Sequence, residues 1–210
     1  VAVRELIAAI FGVSPCVRKE LPVAGHVDTK VCKRSCWRSI LGLTETEHER
    51  TRIMKITSVA VLGAGAVGSY VIWGLADRED IKLGVIAEGE RKERLSRQGC
   101  AINGKVYHPE VWTPEEAENV DFLIVSLKYG ALPGALESIR KIVGKDTSVM
   151  SLMNGVNEEI IAEQIGKSHI LPAVIKVASH READEYHSIG EQHVGIIFVN
   201  MKDPYESKGL

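Results

Sequence analysis

The stretch Ser58–Trp73, SVAVLGAGAVGSYVIW, constrains this chain more than any other. A short apolar run feeds Gly63-x-Gly65-x-x-Gly68, and a small-residue amphipathic stretch follows. That order predicts a strand, a phosphate-binding turn and a helix. The glycines serve different steric ends. Gly63 allows the tight turn, Gly65 lets the backbone approach a pyrophosphate, and Gly68 lets the helix pack closely on the strand. Unpaired N–H groups and the positive end of the helix dipole then stabilise the anion without a basic side chain. The bland alternative, a glycine-rich turn, does not require a strand before and a helix after.

With 210 residues, 45% of them hydrophobic, the chain can bury one good core with an appendage. Its net charge of −2 gives little attraction to nucleic acid or an acidic membrane surface, so a small soluble ligand fits better. No apolar run approaches the roughly 18 to 20 residues of a membrane span, and Leu6–Val13 leads to Ser14-Pro15-Cys16 instead of a small-x-small cleavage site. Three of the four cysteines, Cys16, Cys32 and Cys36, precede the glycine turn and only Cys100 follows it, which is no disulfide framework. A reducing cytoplasm is the expected location.

Residues 1–53 carry 9 Lys+Arg and 6 Asp+Glu, so the charge changes from +3 to −5 across Met54. Met54-Lys55-Ile56 starts the first strand directly, and residues 1–53 are read as an extraneous or disordered leader. A zinc module on Cys32-x3-Cys36 with Cys16, His26 or His48 matches no common spacing, and an organelle transit peptide suits the arginines and serines but not the six acids. Domain boundaries follow as a leader (1–53), a nucleotide-binding domain (54–200) and a tail (201–210).

From Met54 the pattern alternates. Strands are predicted at Ile56–Leu62, Ile81–Ala87, Asp121–Leu127, Thr147–Met153 and Ile170–Ala178; helices at Ala66–Ala76, Glu90–Gln98, Pro133–Val143 and Glu158–Ile165. A short pair lies around Ala101–Ile102 and Lys105–Tyr107, and a terminal hairpin is expected from Glu185–Ile189 and Val194–Val199. The class is α/β, with a doubly wound, mainly parallel sheet.

Ligands of such sheets bind beyond the carboxyl ends of the strands. Glu88 ends the second strand twenty positions after Gly68, where a carboxylate would accept from an adenosine ribose 2′-hydroxyl and repel a 2′-phosphate. Arg91, Lys92 and Arg94 could reach such a phosphate, so these residues disagree about NAD and NADP; a solvated charged helix start explains them too. Lys128 closes the Asp121–Leu127 strand, near the expected pyrophosphate, nicotinamide ribose or reacting carbonyl, although most strand-end lysines are merely solvated. Asn154-Gly155 follows the next strand: its amide can donate and accept near the nicotinamide ribose and a carbonyl substrate, or the pair is a simple turn. His180 and Arg181 stay unassigned. His108, His187 and His193 lie apart, with no spacing for a metal or a nucleophilic triad, and Cys100 is expected to be buried.

Together, MKITSVAVLGAGAVGSY, Glu88–Gly99, DFLIVSLKYGAL and SLMNGVNEEI resemble the ketopantoate reductase (2-dehydropantoate 2-reductase) family over Met54 to about Asn200. The resemblance implies a Rossmann-like nucleotide domain and NADPH-dependent reduction of ketopantoate to pantoate in pantothenate and coenzyme A biosynthesis. It implies that Gly63, Ala64, Gly65, Ala66, Val67 and Gly68 form the pyrophosphate turn, that Lys128, Asn154 and Ser179 contact the cofactor, and that Asn154 also contacts substrate, while Glu88 and Arg91 are expected at the cofactor from their place after the second strand. The expected cofactor is NADP, with NAD admitted because Glu88 stands where the family often has an arginine. The expected partner is a 2-keto acid, with no nucleic acid, membrane or metal, and a homodimer is open for a full-length protein.

The family's general-acid lysine belongs to a C-terminal helical domain, and the chain stops at Leu210 before such a domain. No catalytic residue is therefore assigned, and a cofactor-binding fragment of the reductase is expected. Lys176 is not that lysine, since it falls inside a predicted strand of the nucleotide domain. Two other readings stay open: a reductase of another 2-keto acid, and a nucleotide-sensing module without turnover.

Overall fold

A computed structural model describes residues 56–155, 157–175, 177, 179–183, 185–188 and 198–199. The expected leader 1–53 and tail 201–210, Lys176 and most of the predicted 194–199 strand lie outside the described residues.

Six parallel strands form the main sheet: β1 (Ser58–Leu62), β2 (Lys82–Ile86), β5 (Glu110–Trp112), β6 (Phe122–Val125), β7 (Ser148–Ser151) and β8 (Ile170–Leu171), in the order β5-β2-β1-β6-β7-β8. The central strands are apolar at successive positions because both faces are covered. Val59, Val61, Phe122 and Ile124 face one core with Val71, Ile72 and Leu75 of α1 (Ala66–Leu75). Their alternates Ala60, Leu62, Leu123 and Val125 face a second core with Leu132, Ile139 and Ile142 of α3 (Leu132–Ile142) and Ile161 of α4 (Glu158–Ile165). The doubly wound expectation is thus met by a strand-by-strand division of side chains between two cores. The charged helix α2 (Gly89–Gln98) has no buried residue and touches the first core through Leu95.

A smaller mixed sheet joins β3 (Cys100–Ile102), β4 (Lys105–Tyr107), β10 (Ser179–Glu182) and β11 (Glu185–Ser188) in the order β10-β11-β3-β4. Three sequence expectations change. The predicted strand Ile170–Ala178 is divided into β8 and β9 (Ala173–Val174), because Pro172 between them has no N–H to donate to a ladder. The hairpin pairs Glu185–Ser188 with Ser179–Glu182 across a turn where Ala183 takes φ +51°, whereas β12 (Phe198–Val199) pairs with β9. An unforeseen β5 forms the sheet edge; its Trp112 lies over Gly84, where a Cβ would be 2.0 Å from the indole.

Candidate functional site

Because every strand of the main sheet is parallel, Gly63, Glu88, Lys128 and Asn154 all follow carboxyl ends on one edge. The chain leaves β1 for β2 on one side, and returns to β6 on the other. The switch point lies between β1 and β6, where the glycine turn meets Ser126 and Leu127.

The three glycines have distinct surroundings. Gly63 has φ +106°, and a Cβ on it would lie 2.8 Å from the Ser126 carbonyl oxygen. A Cβ on Gly68 would lie 1.9 Å from the Gly63 carbonyl oxygen. At Gly65 it would meet nothing within 4 Å, so the turn opens outward there. Ser126 N–H donates to the Leu62 carbonyl at 2.9 Å, and its hydroxyl donates to the Gly63 carbonyl at 2.6 Å.

Helix α1 starts with the Ser69 N–H donating to the Gly65 carbonyl at 2.7 Å, and its first turn carries no acidic residue. The N–H groups of Ala66, Val67 and Gly68 therefore precede the first intrahelical donor, the arrangement that suits a pyrophosphate. Ala64 is buried beside this turn. The Ser179 hydroxyl donates to the Ala66 carbonyl at 2.9 Å, so Ser179 braces the helix start from β10.

Lys128 is exposed at the start of a single 3-10 turn (Tyr129–Ala131), with no ion pair to it among the described residues. Asn154 and Gly155 are also exposed, and Gly155 has φ +99°. Their turn is held by Asn157, whose amide donates to the Gly155 carbonyl at 3.0 Å and to the Asn154 carbonyl at 3.4 Å while its oxygen accepts from the Ser151 hydroxyl. Ser126 and Asn157 are supporting residues that the sequence reading did not assign. The available signal was a polar residue ending or closely following each apolar strand.

On the other flank Glu88 is exposed and extended, with φ −131° and ψ 162°, and does not cap α2. Arg91 is exposed, while Lys92 is ion-paired to Glu116. Of the unassigned residues, His180 stacks on His187 with ring centroids 5.6 Å apart, and Arg181 donates to the Ala183 carbonyl at 2.8 Å. Cys100 is buried, and that burial pushes its thiol pKa up. A cleft of about 390 Å³ lies at the opposite end of β2, lined by Asp77, Lys82, Lys105 and Glu110. Its lysines are paired with Glu110 and Asp77, and the strand-end glycine turn is absent there, so the switch-point edge is the better candidate. Among the described residues no cluster suited to a metal occurs, and no helix is long and apolar enough to cross a membrane.

The family model described as Ketopantoate reductase PanE/ApbA matches residues 59–196. A 2-dehydropantoate 2-reductase of Mesorhizobium japonicum is 32% identical over 108 residues, covering 49% of this chain and 32% of the relative. The crystal structure of 2-dehydropantoate 2-reductase from Geobacter metallireducens GS-15 superposes with a TM-score of 0.58 at 28% identity, over 68% of this chain and 48% of that one. The ternary structure of D-mandelate dehydrogenase with NADH and anilino(oxo)acetate has a TM-score of 0.58 at 24% identity, over 72% of this chain and 51% of that one, a likeness of fold. The chain spans well under half the length of the curated relatives, 32% and 39% of the first two.

Proposed function

The chain belongs to the ketopantoate reductase PanE/ApbA family, and on that premise we propose that it is the dinucleotide-binding part of a cytoplasmic NAD(P)H-dependent reductase acting on 2-dehydropantoate. The observation that carries this reading is the switch point: an outward-opening Gly65, an uncapped α1 terminus and the exposed Lys128 share one sheet edge.

When bound, the reduced dinucleotide supplies the hydride that turns a ketone into an alcohol. In this reading the N–H groups at the start of α1 hold the pyrophosphate, and the Ser126 and Ser179 hydrogen bonds keep that turn in place. Lys128 contributes a fixed positive charge for the pyrophosphate or the substrate carboxylate. Asn154 offers an amide donor and acceptor to the nicotinamide ribose and the keto acid, on a turn that Asn157 holds. The proton for the nascent alkoxide is assigned to a group outside residues 54–200, as the family resemblance implies.

Binding is the direct test. Titration with NADH and NADPH, followed by nicotinamide fluorescence, should show saturable binding that Gly65→Asp abolishes and Lys128→Ala weakens. Adding 2-dehydropantoate or other 2-keto acids should perturb the bound signal, most strongly with 2-dehydropantoate. A folded protein that binds neither dinucleotide would overturn the proposal.

A further inference from the structure

We infer that the adenosine end of this site accepts a free ribose 2′-hydroxyl, so that the protein prefers NAD(H) to NADP(H), with Glu88 and the Lys92–Glu116 ion pair setting the preference. The inference rests on the dinucleotide reading above and chooses between the two cofactors that reading leaves open.

Glu88 is the second residue beyond Ile86, the last of β2, and β2 is the direct neighbour of β1 in the sheet. Its carboxylate is exposed and is not used to cap α2. An ionised carboxylate here accepts hydrogen bonds from ribose hydroxyls and repels a phosphate carrying nearly two negative charges. Glu90, in the first turn of α2, adds a second acid.

Of the four nearby cations, the two lysines are engaged. Lys92, one turn along α2, is ion-paired with Glu116, and the same Glu116 oxygen accepts from the Thr113 N–H at 2.7 Å, which fixes it in place. Lys141 is paired with Glu115 at 2.7 Å. Its pKa is raised, first by that bond and to a smaller degree by Glu88, so Glu88 lies within electrostatic range of a lysine already taken. Arg91 and Arg94 are the exposed opposing charges. Two acids, Glu88 and Glu90, thus stand against two exposed arginines while the nearby lysines are held by carboxylates, and the group nearest the strand end itself is the Glu88 carboxylate.

The test is the ratio of dissociation constants for NADH and NADPH, measured on the full chain by reduced-nicotinamide fluorescence. NADH should bind tighter by about tenfold or more, the size of one charge-assisted contact. Glu88→Arg should reverse the order. Glu116→Gln, which releases Lys92, should tighten NADPH and leave NADH unchanged. Circular dichroism of each variant verifies that it is folded. Equal or tighter binding of NADPH by the unaltered protein would overturn the inference while leaving the dinucleotide reading intact. No change in the NADPH constant of folded Glu116→Gln would remove the ion pair from the account, and binding of neither cofactor would overturn the underlying reading as well.

Discussion

The Ser126 hydroxyl donates a 2.6 Å hydrogen bond to the carbonyl of Gly63, joining the end of β6 to the turn that follows β1 across 63 positions of sequence. This bond is buried, so its loss leaves a carbonyl acceptor without its side-chain partner. Ser126→Ala should destabilise the fold by about 1 kcal/mol. It should also weaken dinucleotide binding several-fold, because the turn is held less rigidly. Urea unfolding and nicotinamide titration of the same preparation measure both effects.

Gly65 and Gly68 should respond to alanine in opposite ways. At Gly68 the new Cβ would overlap the Gly63 carbonyl oxygen at 1.9 Å and approach the Ser126 hydroxyl at 2.8 Å, so Gly68→Ala should cost about 3 kcal/mol or more. At Gly65 the Cβ meets nothing within 4 Å and φ is −92°, so Gly65→Ala should change stability by no more than about 1 kcal/mol. That same Cβ enters the space proposed for the pyrophosphate, and binding should fall about tenfold or more. Thermal unfolding with cofactor titration separates the two outcomes.

The glycine turn was legible because its spacing encodes local sterics, and β6 was legible because a strand buried on both faces reads as the unbroken run FLIV. Pro172 carried a readable signal too, and the division of the Ile170–Ala178 run follows from it. The partner of Glu185–Ser188 was less accessible: SHRE and EYHS are polar, so no apolar alternation marks them as paired. The strand EVW is too short for any period to show. Ser126 and Asn157 act through contacts that only the folded chain defines. Lys128 and Asn154 were placed at strand ends by sequence, and the parallel sheet puts both on the glycine-turn edge.

Asn157 illustrates how such a support can be tested. It is fully buried, and its amide spans the Ser151 hydroxyl and the carbonyls of Asn154 and Gly155. Asn157→Ala removes all three bonds and should cost about 2 kcal/mol. Asn154→Ala, at an exposed position, should leave stability within about 0.5 kcal/mol while weakening the response to 2-keto acids. If both variants proved equally unstable, Asn154 would be structural and its substrate role would fall.

Asp121 should govern part of the acid stability. Its Oδ2 accepts from the Thr57 N–H at 2.7 Å, the Thr57 hydroxyl at 2.8 Å, the Ser58 N–H at 2.9 Å and the Ser58 hydroxyl at 3.1 Å. Burial pushes the carboxyl pKa up, but the Thr57 and Ser58 bonds together outweigh it and hold the group below its ordinary value. A pKa depressed in the folded state means that the unfolded chain takes up the proton first as pH falls. The stabilisation is therefore fully present above the unfolded carboxylate value of about 3.9, and is lost as pH drops through the lower folded value. Asp121→Asn should lower the urea midpoint at pH 7, and the gap from the unaltered protein should close progressively below about pH 4. A gap that stayed constant down to the acid limit would mean that these four hydrogen bonds hold β1 beside β6 equally well without the charge.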